Sequence, residues 1–183
     1  MSEITYLWRP ARDYPERLIV SPDEDCFDQS RFRLAVAVDS TKPPRFISGE
    51  PIVHFQKMDY IPNLAQLPLI SASATEAVME LCPNDIQLVG ATIVCSDGEM
   101  ECFVVNPLTA VAAVDWELSK HVNIPGTEEV MLFKRLELRP NALGECHIAR
   151  LKEFPPYVLV SEAFKAIFSG CSLCRFVLPS TIR

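Results

Sequence analysis

Cys171 and Cys174 stand in a Cys-x-x-Cys pattern, a spacing shared by redox dithiols and by one half of a structural zinc site. Redox use asks for a stabilised thiolate, which a helix N-terminus supplies through its partial positive charge. This pair instead follows the end of a helical pattern, where the dipole is negative, so the expectation is a pair of turn or core cysteines. Zinc needs two more ligands. Only Cys82, Cys95, Cys102, Cys146 and His147 are on offer, each isolated from any second pair or His-x-x-x-His spacing. No metal and no cofactor are expected.

Nucleophilic catalysis needs a base beside the nucleophile. His54, His121 and His147 are scattered, and Cys146 and His147, neighbours in sequence, would point to opposite sides of a strand. There is no Gly-x-Ser-x-Gly and no phosphate-cradling glycine loop, and with six glycines in all, nucleotide chemistry is improbable. A small zinc- or cysteine-dependent enzyme, or a metal-stabilised binding module, built on Cys146, His147, Cys171 and Cys174 stands as the alternative reading. After Asn106-Pro107, Leu108, Val111, Val114, Leu118 and Val122 fall at helical spacing. The spacing predicts a helix to about Val122, with Asp115 satisfied by Ser119 one turn on. Trp116 points off that stripe, either packed under the N-terminal segment, the favoured placement, or exposed as a contact residue.

The elements that would position these groups become clear from Pro51 onward. Ile52-Val53-His54-Phe55 reads as a strand. A helix follows Ser71 to about Cys82, with capping-box spacing between Ser73 and Glu76. Ile86 to Cys95 and Met100 to Val105 form a hairpin through Ser96-Asp97-Gly98-Glu99. A strand over 129–138 turns at 141–145 and returns from His147, running past Pro155-Pro156 to Val160. Ser161 caps a last helix, Gly170 ends it, and 175–178 closes the chain as a strand. Residues 1–50 are irregular, broken by Pro10, Pro15 and Pro22, and read as short strands within the same domain as 51–183. The expected fold is a single α+β domain, a mainly antiparallel sheet with two to four helices packed on it.

At 183 residues with 49% apolar and 22% charged side chains, the chain can bury one full core. No apolar run reaches the roughly 18 to 20 residues that cross a bilayer, and the first ten residues lack the form of an export signal. Seven cysteines at irregular spacing suit a reducing cytoplasm. A net charge of −7 argues against nucleic acid as a ligand and leaves room for a basic protein partner.

Four phrases carry a resemblance: Met58-Asp59-Tyr60; Val104-Val105-Asn106-Pro107 leading to Val114-Asp115-Trp116-Glu117-Leu118-Ser119; Leu151-Lys152 with Pro155-Pro156 before Val158-Leu159-Val160-Ser161-Glu162; and Phe176-Val177-Leu178-Pro179. In their order and spacing the chain resembles family eleven of the bacterial polymorphic-toxin immunity proteins, formerly a domain of unknown function. The resemblance spans about 58–178. It implies a cytoplasmic protein that binds a cognate toxin and blocks it stoichiometrically, without catalysis; a homodimer is compatible with it. Under that reading the partner-binding candidates are Trp116 and two acidic groups, Asp23, Glu24, Asp25 and Asp28, and the hairpin-tip residues Asp97, Glu99 and Glu101, which would steer a basic toxin.

Overall fold

In an extended chain successive side chains face opposite ways, so a single strand can serve two cores at once. That property organises this molecule, whose computed structural model describes residues 4–23, 27–39 and 41–182. Along the chain come β1 (Thr5–Pro10), β2 (Ser21–Pro22), β3 (Arg45–Ile47), β4 (Leu69–Ser71), α1 (Thr75–Leu81), β5 (Ile86–Cys95) and β6 (Gly98–Pro107). There follow β7 (Ala110–Val111), β8 (Lys120–Asn123), β9 (Val130–Arg135), β10 (Ile148–Leu151), β11 (Val158–Ser161), α2 (Glu162–Ile167) and β12 (Cys174–Val177). One sheet runs β2-β3-β5-β6-β4, a second β12-β1-β11-β10-β7, and β8 and β9 form a two-stranded ribbon.

Val89, Ala91, Ile93, Cys102 and Val104 turn one face of the first sheet onto an outer core with Phe46, Phe55 and Leu69. Its other face, through Ile70, Ile86 and Val105, meets Trp8, Val158 and Val160 of the second sheet around Val78 of α1 and Phe164 of α2. The far side of the second sheet, with Leu7, Ala149, Leu151 and Leu159, is closed by Phe133 of the ribbon and by Leu136 and Leu143. The result is mostly sheet, α+β in broad class. It differs from the expected antiparallel sheet in being mixed, because β3 runs parallel to β5 and β7 parallel to β10.

Two short helices form among the described residues, where the expected two to four included three with assigned positions. Residues 106–122 are the missing one. Asn106 and Pro107 end β6, Ala110 and Val111 pair with Arg150 and Leu151, and Lys120 to Asn123 pair with the ribbon's second strand. Ile52-Val53-His54 likewise forms a 3-10 turn instead of a strand, begun after Pro51 with the Ile52 amide donating to Asp97 Oδ1 at 2.8 Å. The expected return of the 129–138 strand onto 147–151 is also replaced: β9 pairs with β8, while Pro155-Pro156 lies in a reversal that folds β11 back on β10. Ser73 makes no capping box, its hydroxyl meeting Ser71 Oγ at 2.8 Å and Asp59 Oδ1 at 3.3 Å. Ser161 does cap α2, its Oγ accepting from the Phe164 amide at 3.2 Å.

The expected hairpin forms with a shorter turn, its second strand starting at Gly98 and not at Met100. Cys95 pairs with Gly98 across a two-residue turn of Ser96 and Asp97, and Gly98 takes φ +154° where an added Cβ would meet Ile52 Cδ1 at 3.1 Å. The N-terminal segment contributes β1, β2 and β3, and β1 lies between β12 and β11, one strand in from the edge of its sheet.

Candidate partner-binding surface

Trp116 is 48% exposed, which corrects the expectation that it packs under the N-terminal segment. The reason is local. Asp115 Oδ1 accepts from the amides of Glu117 and Leu118, both at 3.1 Å, and its carbonyl takes the Ser119 amide at 2.9 Å. This tight aspartate turn holds Trp116 at its apex, so Asp115 acts as a turn former. Ser119 faces elsewhere, its hydroxyl donating to Glu137 O at 3.2 Å and accepting from the Glu137 amide at 3.0 Å.

From Trp116 a row of rings crosses the outside of the second sheet. Its ring lies 5.1 Å from His121 and 6.3 Å from Phe133, while Phe133 lies 6.0 Å from Phe154 and 6.4 Å from Tyr157. The Arg9 guanidinium then sits 5.1 Å from the Tyr157 ring centre, a cation–π contact. Beyond it opens a groove of about 360 Å³ lined by Arg9, Tyr14, Tyr60, Phe154 and Tyr157 among others. Leu118, Ile124, Met131 and Leu132 stand exposed around the ribbon. Trp, Tyr and Arg are the side chains that most often carry interface energy.

The turn that presents Phe154 and Tyr157 is anchored from two sides. Glu153 accepts from the amides of Ala113 and Val114 at 3.3 and 3.1 Å, and the Lys152 amide donates to Val111 O at 2.9 Å. The Trp116 and Pro155-Pro156 phrases, far apart in sequence, are thereby stitched together. From beneath, Arg150 Nη1 donates to Pro155 O at 2.9 Å. Arg150 is 1% exposed, and its Nε and Nη2 have no partner among the described residues. Burial, followed by repulsion from Arg33, pulls its pKa down to about 10. A second cationic feature lies beside the groove: Arg9 stands directly across from Arg175, whose pKa is lowered by burial and then by Arg12 and Arg9.

The acidic candidates lie on or against the first sheet, and most have internal work. Asp28 Oδ1 accepts from the amide and hydroxyl of Ser30 at 2.9 and 2.6 Å, bonds that lower its pKa. Asp97 holds the Ile52 amide, and Glu99 pairs with Arg45 at 3.0 Å. The Asp23 amide donates to Arg45 O at 2.8 Å, so β3 joins the Asp23 region to the hairpin tip as one acidic edge. Glu101 is exposed on β6, as Glu99 is. Glu24 and Asp25 lie outside the described residues.

The residues of the alternative reading separate into two places. His147 donates its amide to Asp85 Oδ2 at 2.8 Å and sets Nδ1 3.0 Å from Ser161 Oγ, a hydroxyl already committed to capping α2 and fully buried. Burial, then Asp85, raises the Cys146 thiol's pKa, so it is a protonated side chain at neutral pH. Cys171 and Cys174 lie instead between α2 and the start of β12, at the central core. Among the described residues no group of three or more His, Cys, Asp or Glu is placed to hold a metal ion. No described helix is long and apolar enough to cross a membrane.

The aromatic row and groove were missed in the sequence because Arg9, Phe133 and Tyr157 come from three distant segments; the aromatics flanking Pro155-Pro156 were the one available signal. No protein-family model matches the chain, and no curated protein matches it.

Proposed function

We propose that this chain is an immunity-type protein that neutralises a cognate toxin by stoichiometric association, with the Trp116 row as its contact surface. The single observation that carries the reading is the half-exposed Trp116, held out on a rigid aspartate turn and backed by buried Phe133. A large ring fixed in place before binding loses little side-chain freedom on association, the economy that makes Trp a hot-spot residue. The resemblance supports the same reading, since two of its phrases meet at this surface. The partner's matching face is expected to be apolar opposite Trp116 and to carry a carboxylate opposite Arg9. The acidic edge at Asp23, Glu99 and Glu101 would contribute to encounter with a basic toxin.

The test is co-expression with the C-terminal domain of a large modular protein encoded next to this chain, followed by titration calorimetry of the purified pair. A one-to-one complex that abolishes toxin activity, and that Trp116→Ala weakens while leaving the melting temperature unchanged, is the expected result. Toxin inhibition at far below one equivalent, which is turnover, would overturn association as the mechanism.

A further inference from the structure

We propose that the groove beside Tyr157 is a docking site for an extended, proline-containing acidic segment of a partner protein, held as a polyproline II helix with a carboxylate on Arg9. The inference rests on the reading of the neighbouring row as a contact face, and it names the element of the partner that enters the groove. The groove, about 360 Å³, has aromatic and proline walls, Trp8, Tyr14, Tyr60 and Tyr157 with Pro10 and Pro156. Its rings are packed in place. Tyr60 stands 5.4 Å from Trp8, and Tyr157 stands 4.7 Å from Phe154, edge to face. The loop carrying Leu64 is clamped as well. Asn63 Nδ2 donates to Ile61 O at 3.2 Å and to Leu67 O at 2.7 Å, while Asn63 Oδ1 accepts from the Leu67 amide at 3.1 Å. Leu64 lines the groove and is 63% exposed.

Two polar groups in the groove lack an internal partner. Tyr60 is 4% exposed and lines the groove, yet its hydroxyl makes no hydrogen bond to any described residue. A hydroxyl so placed asks for an acceptor from outside. Arg9 lies over the Tyr157 ring and forms no ion pair among the described residues. Across the sheet from Arg9 is Arg175, whose Nε donates to Pro10 O at 3.1 Å, and Arg12 and Arg9 both act on Arg175 as like charges. Among the described residues no carboxylate lines the groove. In a chain of net charge −7, arginines gathered at an acid-free groove favour an anionic ligand.

The fold around the groove decides the conformation of that ligand. β1 is paired with β12 as far as Pro10 and with β11 as far as Trp8, so its free edge is Arg9 and Pro10 alone, too short for an added strand. Pro10 has no amide to give in any case. A polyproline II segment needs no edge. It makes no internal backbone hydrogen bonds, so its carbonyls are free to accept, and it suits grooves lined by aromatic side chains. Its prolines hold the bound conformation before binding, so little freedom is lost on entry. In the groove, proline rings lie against Trp8 and Tyr157 and a carbonyl accepts from the Tyr60 hydroxyl. A flanking Asp or Glu meets Arg9, whose guanidinium keeps its place over Tyr157.

The experiment pans a phage library of random peptides on the immobilised full chain, then titrates a labelled synthetic copy of the enriched peptide by fluorescence anisotropy. Enriched peptides should carry prolines beside Asp or Glu and should not be recovered on Arg9→Glu. For the synthetic peptide, alanine in place of its prolines and Arg9→Gln should each lower affinity about tenfold. Tyr60→Phe, which keeps the ring and removes the hydroxyl, should lower it about threefold. Added salt should weaken binding. If Arg9→Glu loses its fold by circular dichroism, Leu64→Glu places the same negative charge at an exposed position of the groove. No enrichment, a consensus lacking proline or lacking an acidic residue, or equal recovery on wild type and a folded charge variant would overturn the proposal. The selection contains no toxin, so its failure beside a one-to-one toxin complex removes the groove alone. A selected peptide beside a toxin that does not bind removes the toxin reading alone.

Discussion

The acidic groups and Trp116 both stand as partner-binding candidates in sequence, yet the structure employs them differently. At the edge, Asp28 caps a turn, Asp97 holds the Ile52 amide and Glu99 is tied to Arg45. Along the row, Trp116 and Leu118 are about half exposed, and the polar groups around them serve to hold them out. Carboxylates that complete the fold can steer a partner but give up little new energy on contact. The exposed half of the Trp116 ring, on a fixed support, still has its desolvation to gain.

The largest difference between the two regions is expected from Trp116→Ala. Affinity for the cognate partner should fall by at least about 30-fold, roughly 2 kcal/mol, by calorimetry. Stability should change by less than about 1 kcal/mol, because the ring is already half solvated. An unchanged affinity would move the contact surface to the acidic edge. Next comes Glu153→Ala, which strips the acceptor from the amides of Ala113 and Val114. Two amides in a partly buried setting then lack partners, at a cost of about 1–3 kcal/mol in urea denaturation. Binding should weaken with it, since the turn bearing Phe154 and Tyr157 loses its tie to the Trp116 segment.

What the sequence discloses follows the range of the contacts involved. The β5–β6 hairpin is legible because its strands are adjacent and its turn is set by Ser96, Asp97 and Gly98 alone. The end of β11 and the start of α2 are legible for the same reason, the Ser161 cap being a local bond. Residues 106–122 are not. Leu108, Val111, Val114, Leu118 and Val122 match helical spacing, but the segment's amides and carbonyls find better partners far away. Leu108 N donates to Asp85 O at 2.8 Å, Arg150 N to Thr109 O at 2.8 Å, and Asn106 Nδ2 to Val36 O at 2.9 Å. With Thr109, Val111 and Val114 favouring extended backbone, those distant bonds decide the outcome. Trp116 was identified as a candidate from its type alone. The groove at Arg9 and Tyr157 depends on β1 entering the second sheet between β11 and β12, which no local pattern announces.

A smaller effect, on the other side of the comparison, belongs to Asp97→Ala. It removes the acceptor of the Ile52 amide at the start of a 3-10 turn and should cost about 1 kcal/mol of stability, the usual magnitude for a lost cap. The dissociation rate of the complex should be untouched, which distinguishes a structural carboxylate from a contact one. A slowed association after this change would reflect lost charge alone, and Asp97→Asn separates the two, since its side-chain oxygen can still accept from Ile52.

Glu101→Lys should have the least effect on the protein itself and the most specific effect on binding. Glu101 is exposed and forms part of no described cap, so stability should stay within about 0.5 kcal/mol. Reversing its charge changes the field of the edge by two units without disturbing the Arg45–Glu99 pair. If the edge steers a basic partner, association slows and its dependence on salt becomes shallower, while dissociation is constant. Association kinetics that are the same for Glu101 and Lys at low salt would confine the edge to a structural role. Recognition would then rest on the aromatic row and the Arg9 groove, and the partner's charge would need to be acidic, not basic.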